Sequence, residues 1–339
     1  MILLLTRKLF ITFLLALIAG CMPTIHPPGD KINSGQLLTD RFITEDGSEL
    51  PLRSWLPKKK DIKAVIIALH GFNDYSHFFQ QPGEYFRQQG IASYAFDQRG
   101  FGSSPNRGLW AGINAYSEDV ASFIRLVREK HPGLPVYLLG ESMGGAVAIL
   151  TVSRPLQPNI DGIILAAPAI WSRDTMPWYQ RTLLWSLAHT LPWLSLTGEG
   201  LEVMPSDNIE MLKALAHDPL VIKETRIEAV YGLANLMDAA FASAGKLQTG
   251  LLMLYGEKDE IIPKKPVYQF LRNLISQNRK DQTIAFYRDG YHMLLRDLQA
   301  SVLWEDINTW INSPQNSLPS GADKRVKEII DRIISLNDD

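Results

Sequence analysis

Cysteine is almost absent: among 339 residues there is one, Cys21. A lone cysteine closes no intrachain disulfide, so a small cross-linked scaffold is excluded. An excess of positive charge is missing too. Lys and Arg total 34 against 36 Asp and Glu, a formal net charge of −2. The one tight basic run, Lys58-Lys59-Lys60, reads as a solvated turn, and nucleic acid is not expected as a partner. The sequence has no H-E-x-x-H and no histidine–cysteine cluster, so no metal is expected. It also lacks G-x-G-x-x-G and G-x-x-x-x-G-K-[ST], so no nucleotide cofactor is expected. There are no internal repeats and no uninterrupted apolar run near the roughly 20 residues that span a bilayer. What remains is ordinary for a globular chain, 46% apolar and 21% charged, long enough for one large domain or two of common size.

The first twenty residues read as an address. Arg7 and Lys8 precede an apolar run at 9–18, and Ala19-Gly20-Cys21 follows. A basic segment, a short apolar segment and small residues make a secretory signal. Leu17-Ile18-Ala19-Gly20-Cys21 resembles the bacterial lipoprotein signal. The resemblance implies that residues 1–20 are removed and that Cys21 is acylated, which would make a membrane a partner. Met22 in place of an Asp after the cysteine implies the outer membrane of a bacterial cell envelope. Residues 21–39 hold Pro23, Pro27, Pro28, Gly29 and Gly35 and read as an extended tether.

After the tether the pattern becomes that of a folded body. Asp46-Gly47 lies between 40–44 and 50–56 and predicts a hairpin. Continuous apolar runs at 64–69, 91–96, 136–139, 162–167, 250–255 and 283–287 predict strands buried on both faces. Helical spacing appears at 78–89, 116–130 (with Ser117 as N-cap), 144–152, 266–275 and 298–311. This alternation predicts an α/β fold with a mostly parallel sheet, its core formed by 40–167 and 247–312. Residues 168–246 break it. They contain no buried-strand run, four of the eight tryptophans (Trp171, Trp178, Trp185, Trp193) and helical patterns, and predict a helical insertion. Residues 313–339 read as a linker followed by an amphipathic helix at 323–336, with Val326, Ile329, Ile330 and Ile333 on one side. That helix is expected to dock on the body or, as the less favoured reading, on a partner.

One motif carries chemistry. Gly140-Glu141-Ser142-Met143-Gly144 fits G-x-S-x-G between a buried strand and a helix, the setting that makes a serine nucleophile. A serine hydroxyl needs a base. Of seven histidines, His26 lies in the tether, His131 at a helix end, and His189 and His217 in the insertion. His70 and His77 precede the serine, against the chain order Ser…Asp/Glu…His. His292 remains, between the last predicted strand and the last helix. The carboxylate that orients it should follow the strand before. Asp259 is the choice, with Glu257 and Glu260 read as solvated loop charges and Asp289 as a turn residue. The oxyanion hole needs two N–H donors, assigned to the backbone of Met143 and of Phe72, with His70 shaping the loop. Residues 97–104 read as scaffold beside the serine.

Four segments resemble the monoacylglycerol lipase and lysophospholipase-like branch of the α/β-hydrolases: His70-Gly71-Phe72-Asn73, Asp97-Gln98-Arg99-Gly100-Phe101-Gly102-Ser103-Ser104, Gly140-Glu141-Ser142-Met143-Gly144-Gly145 and Gly290-Tyr291-His292. The likeness runs through Asp218-Pro219-Leu220 and covers roughly 40–312. It implies the α/β-hydrolase fold, a helical cap at 168–246 and hydrolysis of a single-acyl ester through an acyl-enzyme. One departure is Glu141, where many members carry histidine and others glutamate. At least half of the cap's four tryptophans and of Leu183, Leu184, Leu187, Leu191 and Leu194 are expected to pack the cap on the body. The rest would suit an acyl chain or a membrane. The alternatives are a short-chain carboxylesterase, perhydrolase-like chemistry on the same residues, and a non-catalytic lipoprotein that binds a lipid or partner.

Overall fold

Alternate residues of the run at 64–69 enter two different cores. Val65, Ile67 and Leu69 belong to one cluster of buried side chains, and Ala64, Ile66 and Ala68 to the other. Successive strand residues point to opposite faces, so a strand apolar throughout must be covered on both sides. The computed structural model describes residues 22–329 except 157, 199, 201, 277, 278 and 327. The signal-like run and Cys21 lie outside the described residues, as do Ile330, Ile333 and the rest of the tail.

The chain begins with three short strands, β1 (Gln36–Leu37), β2 (Arg41–Ile43) and β3 (Glu49–Trp55). β2 and β3 form the expected hairpin, with Phe42 opposite Leu50 and Gly47 at φ +83° in the turn. Next come β4 (Ala64–Leu69), α1 (Gln80–Gln88), β5 (Ile91–Phe96), α2 (Ile113–Lys130), β6 (Val136–Glu141), α3 (Met143–Val152) and β7 (Gly162–Ala166). The insertion holds α4 (Trp178–Thr190), β8 (Ser195–Thr197), α5 (Ile209–His217), β9 (Glu224–Arg226) and α6 (Ile227–Ala242). β10 (Leu251–Gly256), α7 (Lys264–Ile275), β11 (Gln282–Tyr287) and α8 (Ala300–Asn312) complete the body.

The main sheet has nine strands in the order β1-β2-β3-β5-β4-β6-β7-β10-β11. From β5 to β11 all neighbours are parallel, and β1 to β3 extend the sheet antiparallel. One face packs α2, α3, α6 and α7, through residues such as Phe123, Val147, Leu236 and Phe270. The other packs α1 and α8, through Phe86, Ile307 and Trp310. The α/β architecture expected from the sequence is therefore the one observed.

Four details differ from the sequence reading. α2 starts at Ile113, and Gly112 at φ +93° precedes it. Ser117 lies inside the helix and donates to the Asn114 carbonyl at 3.0 Å. Residues 22–39 are not a free tether. His26 N–H donates to the Trp110 carbonyl at 2.8 Å, Ile32 N–H donates to that of Glu45 at 2.8 Å, and β1 joins the sheet edge. Backbone donors that find carbonyls on the body hold an otherwise extended segment against it. The cap is not wholly helical, since β8 and β9 pair antiparallel with Leu196 opposite Thr225. Finally, most of the nine apolar cap side chains stay outside. Trp171, Leu184 and Leu187 are half-buried, whereas Trp178, Trp185, Trp193, Leu183, Leu191 and Leu194 are exposed.

The tail docks on the body along the β11 edge. Leu318, Ala322 and Ile329 are buried, Arg325 donates to the Phe286 carbonyl, and Ser320 N–H donates to buried Asp306 at 3.0 Å. Glu257, expected as a solvated charge, pairs instead with Arg325. Leu318 and Ile329 each bury a side chain worth about 1.5–3 kcal/mol. Truncation after Asn312 is expected to cost roughly 3–6 kcal/mol in urea denaturation. An unchanged midpoint would show that the tail contributes nothing to the fold.

Candidate active site

Ser142 sits between the last residue of β6 and the first of α3, at φ +52° and ψ −117°. A non-glycine residue in this region is strained and needs its surroundings to hold it there. The backbone supplies the hold. Ser142 N–H donates to the Ala166 carbonyl at 3.0 Å, and the Ser142 carbonyl accepts from Gly145 and Ala169, both at 2.9 Å. The glycines flanking the serine are required by space. A Cβ on Gly140 would lie 2.3 Å from the Gly144 carbonyl oxygen, and one on Gly144 would lie 2.2 Å from that of Leu69. The helix can turn back this tightly against β4 and β6 only where both positions lack a side chain.

The structure brings Ser142, His292 and Asp259 together across separations of 150 and 33 residues. His292 Nε2 lies 2.9 Å from Ser142 Oγ, and His292 Nδ1 lies 2.8 Å from Asp259 Oδ2. Both His292 and Asp259 are buried. The second oxygen of Asp259 accepts from the amides of Ile261 at 2.8 Å and Ile262 at 2.9 Å. Those bonds fix the orientation of the carboxylate. With Nδ1–H donating to Asp259, Nε2 is left to accept the serine proton. The rejected acids are elsewhere: Asp289 pairs with Lys258 at 2.8 Å on the surface, and Glu260 accepts from Met204 N–H of the cap at 2.9 Å.

The loop after β4 closes over the serine. A Cβ on Gly71 would be 3.4 Å from Ser142 Cβ, so Phe72 follows directly beside the nucleophile. Outside the helix and strand ladders, no backbone hydrogen bond from the Phe72 amide occurs among the described residues. Met143, as the first residue of α3, has an amide without an i−4 carbonyl. Both amides are thus free to meet an oxyanion, at the positive end of a helix. His70 is buried, its Nδ1 donating to the Gly71 carbonyl at 2.8 Å and its Nε2 accepting from Gln98 N–H at 2.9 Å. Burial pushes its pKa down, so a neutral imidazole shapes the loop. The stretch 97–104 buttresses this loop: Asp97 accepts from Ser76 N–H and Ser103 N–H, both at 2.9 Å.

Sequence reasoning missed the residues that join the cap to the base. Met293 N–H donates to the Pro205 carbonyl at 2.9 Å, and Ser206 Oγ donates to Asp297 at 2.6 Å. Asn208 donates to the Arg296 carbonyl at 2.9 Å, and Leu298 N–H donates to Asp207 at 2.8 Å. Asp297 also accepts from Tyr291 N–H at 2.8 Å, and burial raises its pKa to about 6. On the other side Asn73, at φ +65°, donates to Thr225 at 2.7 Å, and Tyr75 donates to Asp218 at 2.7 Å. Asn73, Tyr291 and Asp218 lie in segments that carry the family resemblance, but nothing in the sequence marked them as partners of the cap or the histidine turn, and of the others only the Asn208 N-cap of α5 left a local signal. Among the described residues no group of three or more His, Cys, Asp or Glu is arranged to hold a metal ion.

The chain is similar to known proteins over most of its length. Residues 60–299 match the family described as serine aminopeptidase, S33. Human monoglyceride lipase is 27% identical over 278 residues, covering 80% of this chain and 89% of that protein. The monoacylglycerol lipase of Mycolicibacterium smegmatis is 24% identical, covering 80% of this chain and 96% of that one. The crystal structure of Paleococcus ferrophilus monoacylglycerol lipase superimposes with a TM-score of 0.64 at 24% identity, covering 78% of this chain and 99% of that one.

The role of Asp259 is open to a direct test. Asp259→Asn keeps the shape but presents an amide to His292, which favours the wrong tautomer. The expected loss in kcat is about 10⁴-fold on a p-nitrophenyl ester. A loss below tenfold would remove Asp259 from the relay.

Proposed function

Because the chain belongs to the serine aminopeptidase (S33) family of α/β-hydrolases, we propose that it hydrolyses the ester of a single-acyl lipid, a monoacylglycerol or lysophospholipid. It is a carboxylic ester hydrolase. The observation that carries the reading is the continuous hydrogen-bonded chain Ser142–His292–Asp259, at 2.9 and 2.8 Å, beneath two free amides. Ser142 Oγ attacks the ester carbonyl as His292 takes its proton. The amides of Phe72 and Met143 meet the oxyanion. His292 then hands the proton to the leaving alcohol, and water, activated by the same histidine, frees the acid from Ser142. A binding protein would have no use for the strained serine or for the buried carboxylate aimed at its base.

The choice of a lipid substrate is supported by the monoglyceride lipase relatives and by the cap. Trp178 is 72% exposed, Trp193 55% and Trp185 51%, with Tyr179 and Leu183 exposed beside them. Exposed tryptophans of this density suit the interface of a bilayer. The lipoprotein-like run ending in Cys21 fits the same setting. In this reading an acylated Cys21 tethers the enzyme to the outer membrane of a bacterial cell envelope, where its substrates lie. No helix among the described residues is long and apolar enough to cross a membrane.

The deciding assay sets wild type beside Ser142→Ala. Substrates are p-nitrophenyl esters from acetate to palmitate, then monoacylglycerol and lysophosphatidylcholine, with release of fatty acid as the readout. Turnover of the long single-chain substrates that vanishes in the variant is expected. A preference for acetate or butyrate would make the enzyme a general short-chain esterase. No Ser142-dependent turnover in folded protein would leave the binding-protein reading. For the cap, Trp178→Ser with Trp185→Ser should lower turnover of vesicle-borne monoacylglycerol several-fold and leave soluble acetate ester unchanged. Equal effects on both would place these side chains in the acyl site instead.

A further inference from the structure

One buried guanidinium joins three of the four chain segments that carry the chemistry. Arg296 follows His292 by four residues, in a turn closed by its own N–H to the Met293 carbonyl at 2.8 Å. Its Nη2 reaches Asp74 Oδ2 at 2.6 Å and Glu141 Oε2 at 3.0 Å. Asp74 lies two residues beyond Phe72, and its N–H closes the turn around Phe72 by donating to the Gly71 carbonyl at 3.3 Å. Glu141 ends β6 and precedes the nucleophile. All three side chains are buried, with Arg296 at 8% exposure, Asp74 at 6% and Glu141 at 2%. The Phe78 ring covers the guanidinium at 5.9 Å.

We propose that Arg296 is a positioning residue for the hydrolytic reaction: its guanidinium ties the oxyanion loop, the serine elbow and the histidine turn in one register. A buried charge that loses its partner costs several kcal/mol, so neither carboxylate can move off the arginine freely. Both carboxylates are met by one terminal nitrogen, Nη2, whose two N–H bonds are fixed in the guanidinium plane, whereas the N–H bonds of an ammonium rotate about a flexible stem. The tie therefore opposes relative drift of Phe72, Ser142 and His292. Drift of about 1 Å between such groups costs on the order of 100-fold in rate.

The same guanidinium sets the charge of its partners. Asp74, His70 and His77 face it from the loop after β4, with Asp97 acting on His70 from the loop after β5. Glu141 faces it from β6, and Asp297 lies on its own turn. Burial raises the Glu141 pKa, and Arg296 pulls it back down. Without Arg296 the buried Glu141 carboxyl takes up a proton more readily, and the tie between the elbow and the loop after β4 is lost.

The inference rests on Ser142 as the activated nucleophile and not on which ester is cleaved, so the test uses a fluorophosphonate probe. Its phosphorus bonds to Ser142 Oγ, fluoride leaves and His292 takes the proton. The second-order labelling rate of the full chain is measured at neutral pH, with Ser142→Ala as the blank. Arg296→Met should label about 10- to 100-fold more slowly. Arg296→Lys, which keeps the charge and loses the plane, should recover the rate in part. Glu141→Gln should slow labelling. It tests the same tie if Arg296→Met does not fold. Wild-type rates in folded Arg296→Met, or in Glu141→Gln and Arg296→Lys together, would overturn the proposal. Loss of lipid turnover with labelling intact would count against the substrate reading and not against Arg296.

Discussion

The close approach of α3 to the ends of β4 and β6 is the constraint on which the rest depends. Gly140 and Gly144 allow backbone to meet backbone where any Cβ would lie within about 2.3 Å of a carbonyl. Ser142 is left at the apex with φ +52°, its hydroxyl raised from the sheet and the first amides of α3 beside it. The strain is held by bonds from Ser142 to Ala166, Gly145 and Ala169, and by a helix whose buried Val147 and Ile149 pack on the sheet. A rigid parallel sheet is what allows a strained turn to be an energy minimum for the whole chain.

Around that fixed point the other groups arrive on separate loops at the same edge of the sheet. The end of β4 delivers Phe72, the end of β10 delivers Asp259 and the end of β11 delivers His292. In parallel strands these ends lie side by side, so residues 33 and 150 positions apart can share hydrogen bonds. The cap is joined to two of these loops, through Asn73 and Tyr75 on one side and through Pro205 to Asn208 on the other. A displacement of the cap is thus felt at the oxyanion loop and at the base.

Much of this was legible because the signals are local. The six buried strands announce themselves as apolar runs, since a strand covered on both faces has no polar side to show. Ser142 is marked by two glycines around it at a strand–helix junction, and the choice of His292 and Asp259 as its partners follows from chain order. The cap contacts were not legible. β8 and β9 are three residues each and fully or partly exposed, without an apolar alternation to mark them. The start of α2 was missed because Gly112 opens the helix by its positive φ, while Ser117, the better capping residue, sits one turn inside. Exposure of Trp178 and Trp185 was also hidden, because helical spacing of aromatics reads the same for a core face as for a face turned to lipid.

The sequence by itself determined the α/β alternation, the place of the insertion and the identities of Ser142, Asp259 and His292, each through patterns spanning a few residues. Tertiary structure alone decided how residues 22–39 and 313–329 are held and what surrounds His292. The docking of residues 22–39 and of the tail depends on carbonyls and apolar surface offered by distant segments. Arg296 meets partners 222 and 155 residues away, and no local period relates them. A buried charge is tolerated only where the fold brings its counter-charges to it, and that meeting exists only once the strands carrying them lie side by side.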